Sequence, residues 1–375
     1  MRRQAAWILI FGYMLSFLGA GAIDVRAPGA ILIEQTTGTV LFEKAADEQM
    51  HPASVTKIMT LLLTMEAIDS GKITLDDVVT CSEKVSKMEG SKVFLSKGEK
   101  ITVHELLKSI AVASGNDASV AMAEHLAGNE EAFVELMNRR AAELGMGNTH
   151  FENCTGLDVD IHLTTARDIA IMSRELLNHP RIFDYTTIWM DSLRDGAFML
   201  ANTNRLIRFY EGANGLKTGS TSVAKYCLSG TAKRADMQLI AVILGASTSD
   251  ERFEDTTALL DYGFANYAVV HKDGQGANLQ DIPVIKGMAS TVGVAVRGTL
   301  DFVVEKGIEG AIEEKIFMAA DLLAPVEQNQ TVGEISYILS GQEIGKIRII
   351  ACDEVKKITI WHQFFVLAGQ FLMIQ

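Results

Sequence analysis

The stretch Pro52-Ala53-Ser54-Val55-Thr56-Lys57-Ile58-Met59-Thr60, with the apolar run that carries it on to Gly71, decides how the rest of the chain is read. Proline suits the first turn of a helix, where its missing N–H has no intrahelical partner to lose. Gly71 beside Lys72 reads as the stop. Between them Val55, Ile58, Met59, Leu61, Leu62, Leu63, Met65, Ala67 and Ile68 wrap most of the circumference, which predicts a buried helix. Ser54, Lys57, Thr60 and Thr64 break that apolar surface along a single stripe at i, i+3, i+4 spacing. A hydroxyl and an amine are thereby held one turn apart at the start of a buried rod. Burial and the positive helix end both disfavour the ammonium form of Lys57. A neutral lysine beside a serine is a general base beside a weak nucleophile. The plainer alternative is a helix-start serine followed by a lysine that snorkels to solvent. Ser-x-x-Lys is a loose pattern, and the chain carries a decoy, Ser222-Val223-Ala224-Lys225, with no helix-start signal before it.

Working outward, 375 residues allow two domains, and 48% hydrophobic content is enough for real cores. With 22% charged residues, only 5 prolines and no low-complexity tract, a disordered chain is excluded. A net charge of −13 and the lack of any basic patch argue against a nucleic-acid partner. Residues 1–22 read as an export signal: Met1-Arg2-Arg3 is basic, Ala5 to Leu18 is apolar, and Ala20-Gly21-Ala22 is a small-residue cleavage site. The four cysteines, Cys81, Cys154, Cys227 and Cys352, are widely spaced and form no Cys-x-x-Cys, so buried free thiols are the default, with one unspecified pair as the alternative in an oxidising compartment. His104-Glu105-Leu106-Leu107-Lys108 starts like a zinc-protease helix but lacks the second histidine, and no metal or other cofactor is expected.

Along the chain, Gly29 to Glu34 and Gly38 to Phe42 read as a hairpin around Gln35-Thr36-Thr37. After the buried helix come Thr102 to Ala113, with Thr102 and Glu105 as a capping box, and then the loop Ser114-Gly115-Asn116-Asp117. Ala118 to Ala127, capped by Asp117 or Asn116, follows, then Glu130 to Leu144 and Thr164 to Leu177. Tyr226 to Ala232 and Gln238 to Gly245 are apolar runs joined by a polar turn, hence an antiparallel hairpin, and Arg252 to Tyr267 reads as a helix. Strands at both ends of this region with helices between them predict an α/β (α+β) sandwich over residues 23–268.

From about Val269 the pattern changes to short alternating runs punctuated by Gly: Val292 to Val296, Leu300 to Val304, Glu334 to Leu339 and Ile344 to Ile350. This predicts a small all-β sandwich over 269–353, a spacer or docking module. In the tail, 354–375, Trp361, Phe364, Phe365, Ala368, Phe371 and Leu372 fall on one helical face. A 15-residue helix is about 22 Å long, short of a ~30 Å hydrocarbon core. An amphipathic helix lying in the membrane interface, with Lys356 and Lys357 near headgroups, fits that length better than a span; the alternative is a helix docked on the β domain.

Three short motifs now stand in an interpretable order: Ser54-x-x-Lys57 at a helix start, Ser114-Gly115-Asn116 between helices, and Lys217-Thr218-Gly219 where the pattern turns strand-like. Ser-x-x-Lys, Ser-Asp-Asn and Lys-Thr-Gly together are the active-site set of β-lactamases and penicillin-binding proteins, and this chain has Ser-Gly-Asn for the second. Residues 29–268 resemble the low-molecular-mass penicillin-binding proteins, the serine-type D-alanyl-D-alanine carboxypeptidases of peptidase family S11. The stretches that carry the resemblance are Pro52 to Thr60, Ser114 to Ala123 and Gly215-Leu216-Lys217-Thr218-Gly219. Domain order, an exported N-terminus and an amphipathic C-terminal anchor are similar too. Glycine in the middle of the second motif points to the carboxypeptidases rather than class A β-lactamases, whose Glu-x-x-Leu-Asn signature Glu175-Leu176-Leu177-Asn178 misses by one residue.

The resemblance implies a β-lactamase/transpeptidase-like fold and hydrolysis of the terminal D-Ala–D-Ala bond of peptidoglycan pentapeptide stems through a serine acyl-enzyme, with covalent inhibition by β-lactams. It implies work at the outer face of the cytoplasmic membrane or in the periplasm. Ser54 would attack the carbonyl, Lys57 take its proton, Ser114 relay a proton to the leaving nitrogen, and Asn116 hold Lys57 or the substrate backbone. The N–H groups of Ser54 and Ser220 would bind the oxyanion. Lys217, Thr218 and Gly219 would meet the substrate's carboxylate end, with Arg252 as a bidentate partner. Duller roles exist for each: Ser114 and Asn116 as helix caps, Lys217 as a solvated strand-end lysine, Arg252 paired with Asp250 or Glu254. Asn214, where many relatives carry Asp, and Ile161-His162-Leu163, where relatives place Gly and Tyr, depart from the family pattern. The competing functions are a β-lactamase or DD-endopeptidase on the same fold, or a non-catalytic stem-peptide binder.

Overall fold

The computed structural model describes residues 23–359, so the expected export signal over 1–22 and the aromatic tail from Trp361 onward lie outside the described residues. A five-stranded antiparallel sheet organises the larger unit: β1 (Gly29–Glu34), β2 (Val40–Lys44), β3 (Ala213–Thr221), β4 (Lys225–Arg234) and β5 (Met237–Ala246), in the spatial order β2-β1-β5-β4-β3. The first hairpin therefore lies beside the last strand of the unit, with β1 paired along β5 from Gly29↔Leu244 to Glu34↔Leu239. Strands β1 and β5 read as unbroken apolar runs because both their faces are covered. Successive side chains go to opposite faces: Ile31, Ile33, Ile240, Val242 and Leu244 enter one core, while Ala30, Leu32, Leu239, Ala241 and Ile243 enter the other.

The first core is closed by α1 (Lys57–Asp69), α2 (Val103–Ala111), α3 (Asn116–Ala127), α4 (Glu130–Glu143) and α5 (Ala166–Leu176). The second is closed by α6 (Ser249–Asn266). Helix α1 lies in the middle of the helical layer, and Ile58, Met59, Leu61, Leu62 and Met65 are each 0% exposed. At α2 the capping box forms as expected, Thr102 accepting from the Glu105 N–H and the Glu105 carboxylate from the Thr102 N–H.

Four helix starts differ from the sequence reading, one of them that of α6, which begins at Ser249 behind a Thr248 cap rather than at Arg252. Ser54 lies in a 3-10 turn, Ala53–Thr56, and the α-helix proper begins at Lys57. Helix α3 begins at Asn116 with Gly115 as its cap and no side-chain cap, because the Asp117 carboxylate is taken by the Val93, Leu95 and Ala118 N–H groups. Helix α5 is capped by Thr165 rather than begun at Thr164, whose hydroxyl is shared with Thr149.

Beyond α6 the chain enters the β unit at once. The strand Tyr267–Lys272 pairs antiparallel with Leu300–Glu305, and Lys306 ties back to the Asn266 and Phe264 carbonyls of α6. A four-stranded sheet holds Val294–Arg297, Gln342–Ala351, Thr331–Leu339 and Glu313–Met318 in spatial order; a three-stranded one holds Thr291–Val292, Ile282–Ile285 and Leu322–Leu323. They enclose a separate core around Ile335, Tyr337 and Ile349. Among the described residues no helix is long and apolar enough to cross a membrane.

Candidate active site

The site is built where the turn before α1 meets the edge strand β3. Ala53 holds φ at 48°, an unfavourable left-handed value for alanine, and so turns Ser54 into a half-buried position at the mouth of the helical layer. Lys57, one turn on, is 0% exposed. Its Nζ donates to Ser54 Oγ at 2.8 Å, to Asn116 Oδ1 at 2.7 Å and to the Thr155 carbonyl at 2.7 Å. Burial lowers its pKa from 10.5 to about 7, against smaller opposing effects from Cys154 and Asp117. Two fixed oxygens, from Asn116 and Thr155, therefore take two vertices of a tetrahedral nitrogen, and the next faces Ser54 Oγ. That vertex carries an N–H in the ammonium and a lone pair in the amine.

Both fixed oxygens are themselves anchored. Asn116 Nδ2 donates to the Glu89 carbonyl at 2.7 Å, which orients its amide so that Oδ1 faces the lysine. The Thr155 carbonyl belongs to a tight turn gathered by Asn153 Oδ1, which accepts from the N–H groups of Thr155, Gly156 and Leu157 and from Thr155 Oγ1. Thr60 holds the same turn from below by donating to the Cys154 carbonyl at 2.9 Å. So the polar stripe of α1 is the seat of this turn. Gly156, at φ 84°, packs so closely on the Ala53 carbonyl that any β-carbon there would overlap it.

Ser114 precedes α3 with φ 61° and is 4% exposed, beside Asn116, which is 3% exposed. Neither hydroxyl nor amide acts as a helix cap. Ser114 Oγ makes no hydrogen bond among the described residues, whereas Asn116 takes the lysine-holding role.

Strand β3 is the sheet edge, and alternate backbone groups of an edge strand have no strand partner. It runs hard against the Ser54 turn: a β-carbon on Gly219 would lie 2.9 Å from both Ser54 N and Pro52 O. Lys217 is 1% exposed rather than solvated, with its Nζ on the Thr218 carbonyl at 2.9 Å. Burial pushes its pKa well below 10.5, and the charges of Lys57 and Arg252 push the same way. Thr218 Oγ1 shares a 2.6 Å hydrogen bond with Thr203 Oγ1, and Ser220, at the end of the buried run, is exposed.

Arg252 reaches the same strand from α6. It is 7% exposed, donates from Nη1 to the Gly219 carbonyl at 3.0 Å, and lies over the rings of Tyr226 and Phe253. Neither Asp250 nor Glu254 pairs with it: Asp250 takes Arg205, and Glu254 takes Arg26. Its Nε is buried without a hydrogen-bond partner. Burial lowers its pKa to about 10.

The decoy is elsewhere in character: Ser222 and Lys225 are both exposed, on the turn after β3. Asn214 forms a neutral knot with Thr231 and Gln238 at the start of β3. His162 is 1% exposed; its Nδ1 accepts the Glu152 N–H, which leaves Nε2–H to donate to Thr56 Oγ1, and burial lowers its pKa to about 4. Cys154 is fully buried with Sγ on Glu130, and all four thiols are free, Cys352 half-exposed. Sequence reasoning missed Asn153, the Thr155 carbonyl and Thr203. Asn153-Cys154-Thr155-Gly156 carries a turn signature, but nothing in it names a lysine as the group the turn would face.

Comparison with known proteins gives the family. Residues 18–248 match the family model described as peptidase S11, D-alanyl-D-alanine carboxypeptidase, and residues 267–357 match the C-terminal domain of penicillin-binding protein 5. The chain is 43% identical over 336 residues to the D-alanyl-D-alanine carboxypeptidase DacF of Bacillus subtilis, covering 88% of this chain and 86% of that one. Among solved structures, penicillin-binding protein 5 of Haemophilus influenzae superposes with a TM-score of 0.79 at 29% identity, over 90% of this chain and 100% of the other. Penicillin-binding protein D2 of Listeria monocytogenes, solved in an ampicillin-bound form, gives 0.60 at 31% identity over 65% of this chain and 100% of its own. With its two units matched in order and its relatives aligned over most of their length, the chain belongs to the peptidase S11 family of serine-type D-alanyl-D-alanine carboxypeptidases.

Proposed function

We propose that this chain removes the terminal D-alanine from peptidoglycan pentapeptide stems, with Ser54 as nucleophile and Lys57 as general base. The observation that carries the reading is the buried lysine amine held on the serine hydroxyl by two anchored oxygens, and burial lowers its pKa to about 7. About half of such an amine is unprotonated at neutral pH. Ser54 Oγ bonds to the penultimate D-Ala carbonyl as its proton passes to Lys57 Nζ. The resulting oxyanion is met by the N–H groups of Ser54 and Ser220; one such donor is typically worth about 3 kcal/mol of barrier. The C–N bond then breaks, the proton reaches the leaving nitrogen through Ser114, and D-alanine departs. Water, deprotonated by Lys57, hydrolyses the ester and restores Ser54 with the shortened stem. Lys217, Thr218, Gly219 and Arg252 bind the free carboxylate of the terminal residue, which makes the enzyme a carboxypeptidase.

A β-lactam presents the same carbonyl and carboxylate, so it acylates Ser54 as well. The chain acts outside the cytoplasmic membrane, exported by residues 1–22 and held at the membrane surface by the amphipathic segment from Trp361. The test is release of one D-alanine from diacetyl-Lys–D-Ala–D-Ala, with intact-mass and peptide mapping after penicillin. An adduct on the Ser54 peptide and a penicilloyl lifetime of minutes or longer support the reading. Rapid penicillin turnover would assign a lactamase instead, and an adduct on any other peptide would remove Ser54.

A further inference from the structure

We infer that the end of the β unit from which the chain leaves the described residues is a second lipid-contacting surface, lying on an anionic bilayer beside the tail. It rests on the membrane-associated reading above. Three segments meet there. The loop Ile285-Lys286-Gly287-Met288-Ala289-Ser290 joins two strands of the three-stranded sheet. Leu323 is the parallel register partner of Ile285, so both side chains stand on one face. The outgoing segment is stitched to the loop: Met288 N–H donates to the Lys356 carbonyl, Ile358 N–H to the Lys286 carbonyl, and Gly287 bridges Lys357.

This end displays large apolar side chains to solvent, with Ile285 46%, Met288 49% and Leu323 64% exposed. Lys286, Lys356 and Lys357 lie on the loop and the outgoing segment, all exposed and none in an ion pair among the described residues. The acids nearest in sequence, Asp321, Asp353 and Glu354, are exposed as well, and no ion pair joins any of them to these lysines among the described residues. Three clustered lysines are conspicuous on a chain of net charge −13.

Exposed apolar side chains on segments that also carry unpaired lysines match an anionic lipid surface, which takes the first into its acyl boundary and neutralises the second. The tail is a poorer occupant. Residues 360–375 contain no aspartate or glutamate and so bring no acidic side chain to the lysines. Two contacts, tail and β tip, would fix the tilt of the β unit on the membrane, where a tail alone leaves it free to swivel.

Hydrogen exchange of the exported full chain tests this, with phosphatidylglycerol vesicles, phosphatidylcholine vesicles and none. We expect residues 284–291 and 354–358 to gain protection with phosphatidylglycerol only, in addition to 361–375. The Ile285→Ser/Met288→Ser/Leu323→Ser variant should partition about tenfold less into those vesicles, and Lys286→Gln/Lys356→Gln/Lys357→Gln should lose at least about as much, with penicillin acylation unchanged in both. Protection confined to 361–375 would overturn the inference and leave the membrane reading standing. Protection of 284–291 that is equal with phosphatidylglycerol vesicles and without any vesicles would overturn it in favour of the tail or a second copy as occupant. Absence of vesicle binding would remove the membrane reading itself.

Discussion

On the helix side of the cleft, Lys57 Nζ has three oxygen partners, each within 2.8 Å. On the strand side, Lys217 Nζ has one, the Thr218 carbonyl, and Arg252 keeps a buried Nε with none. Both walls bury cations, and burial lowers the pKa on each. The difference is in what completes them. Lys57 is satisfied by the protein and differs only in whether its third vertex gives or takes a proton. Lys217 and Arg252 are short of acceptors, a costly state for buried charge unless a partner arrives. One wall is finished for chemistry, and the other is finished only by an anion. In the proposed reaction the terminal carboxylate of a stem peptide, or that of a penicillin, would be such an anion.

The largest effects should come from the finished wall. Ser54→Ala should abolish D-alanine release and the penicilloyl adduct, a loss of at least about 10⁴-fold in acylation, read by intact mass. Lys57→Gln should cost nearly as much with Ser54 still present. The pH dependence has a definite sign: the amine is the working form, and its pKa is lowered to about 7. Acylation should rise through about pH 7, level off above it, and fall about tenfold per unit below it. A profile flat from pH 5 to 9 would deny Lys57 the role of base.

The unfinished wall should give a smaller, conditional effect. Arg252→Ala should lower kcat/KM for a substrate with a free terminal carboxylate by about ten- to a hundredfold, the worth of a charge-assisted hydrogen bond. The same substrate capped as its C-terminal amide should be turned over almost equally by the variant and the parent. If both substrates fall together, the arginine supports the strand rather than the ligand, and the contrast between the walls fails. Arg252→Lys should recover only part of the loss, since an ammonium lacks the guanidinium fork.

How much of this was legible follows the distinction between pattern and aim. The buried rod from Lys57 to Asp69, the two β4–β5 apolar runs and the capping box at Thr102 are periodic or local features, and the sequence expresses them directly. The three motifs could be ordered along the chain because each has its own spacing. The 3-10 turn at Ser54 could not be read, since it is imposed by the close approach of Gly156 and Gly219 from distant segments. Asn116 could be read as a cap or, by resemblance, as a group that holds Lys57 or the substrate backbone; the residues alone could not choose, because the choice depends on Glu89, 27 residues earlier, claiming its Nδ2. The empty side of Arg252 was equally hidden: Asp250 and Glu254 flank it in sequence, and only the fold gives them to Arg205 and Arg26.

Asn153 sharpens the comparison most finely, because it touches neither Ser54 nor Lys57 and works through the turn that carries the Thr155 carbonyl. Asn153→Ala removes the acceptor for four donors, so the carbonyl should lose its fixed aim at Lys57 Nζ. The ammonium then has one oxygen fewer, and the acylation midpoint should move below about pH 7, with a plateau lowered several-fold. Asn153→Asp keeps an acceptor for the same donors and adds negative charge near the lysine, which favours the ammonium. Its midpoint should therefore move upward while its plateau stays close to the parent's. A role confined to stability would lower the melting temperature of either variant and leave both midpoints in place. Opposite shifts would instead show that the finished wall is finished by its neighbours, down to the turn that seats one carbonyl oxygen.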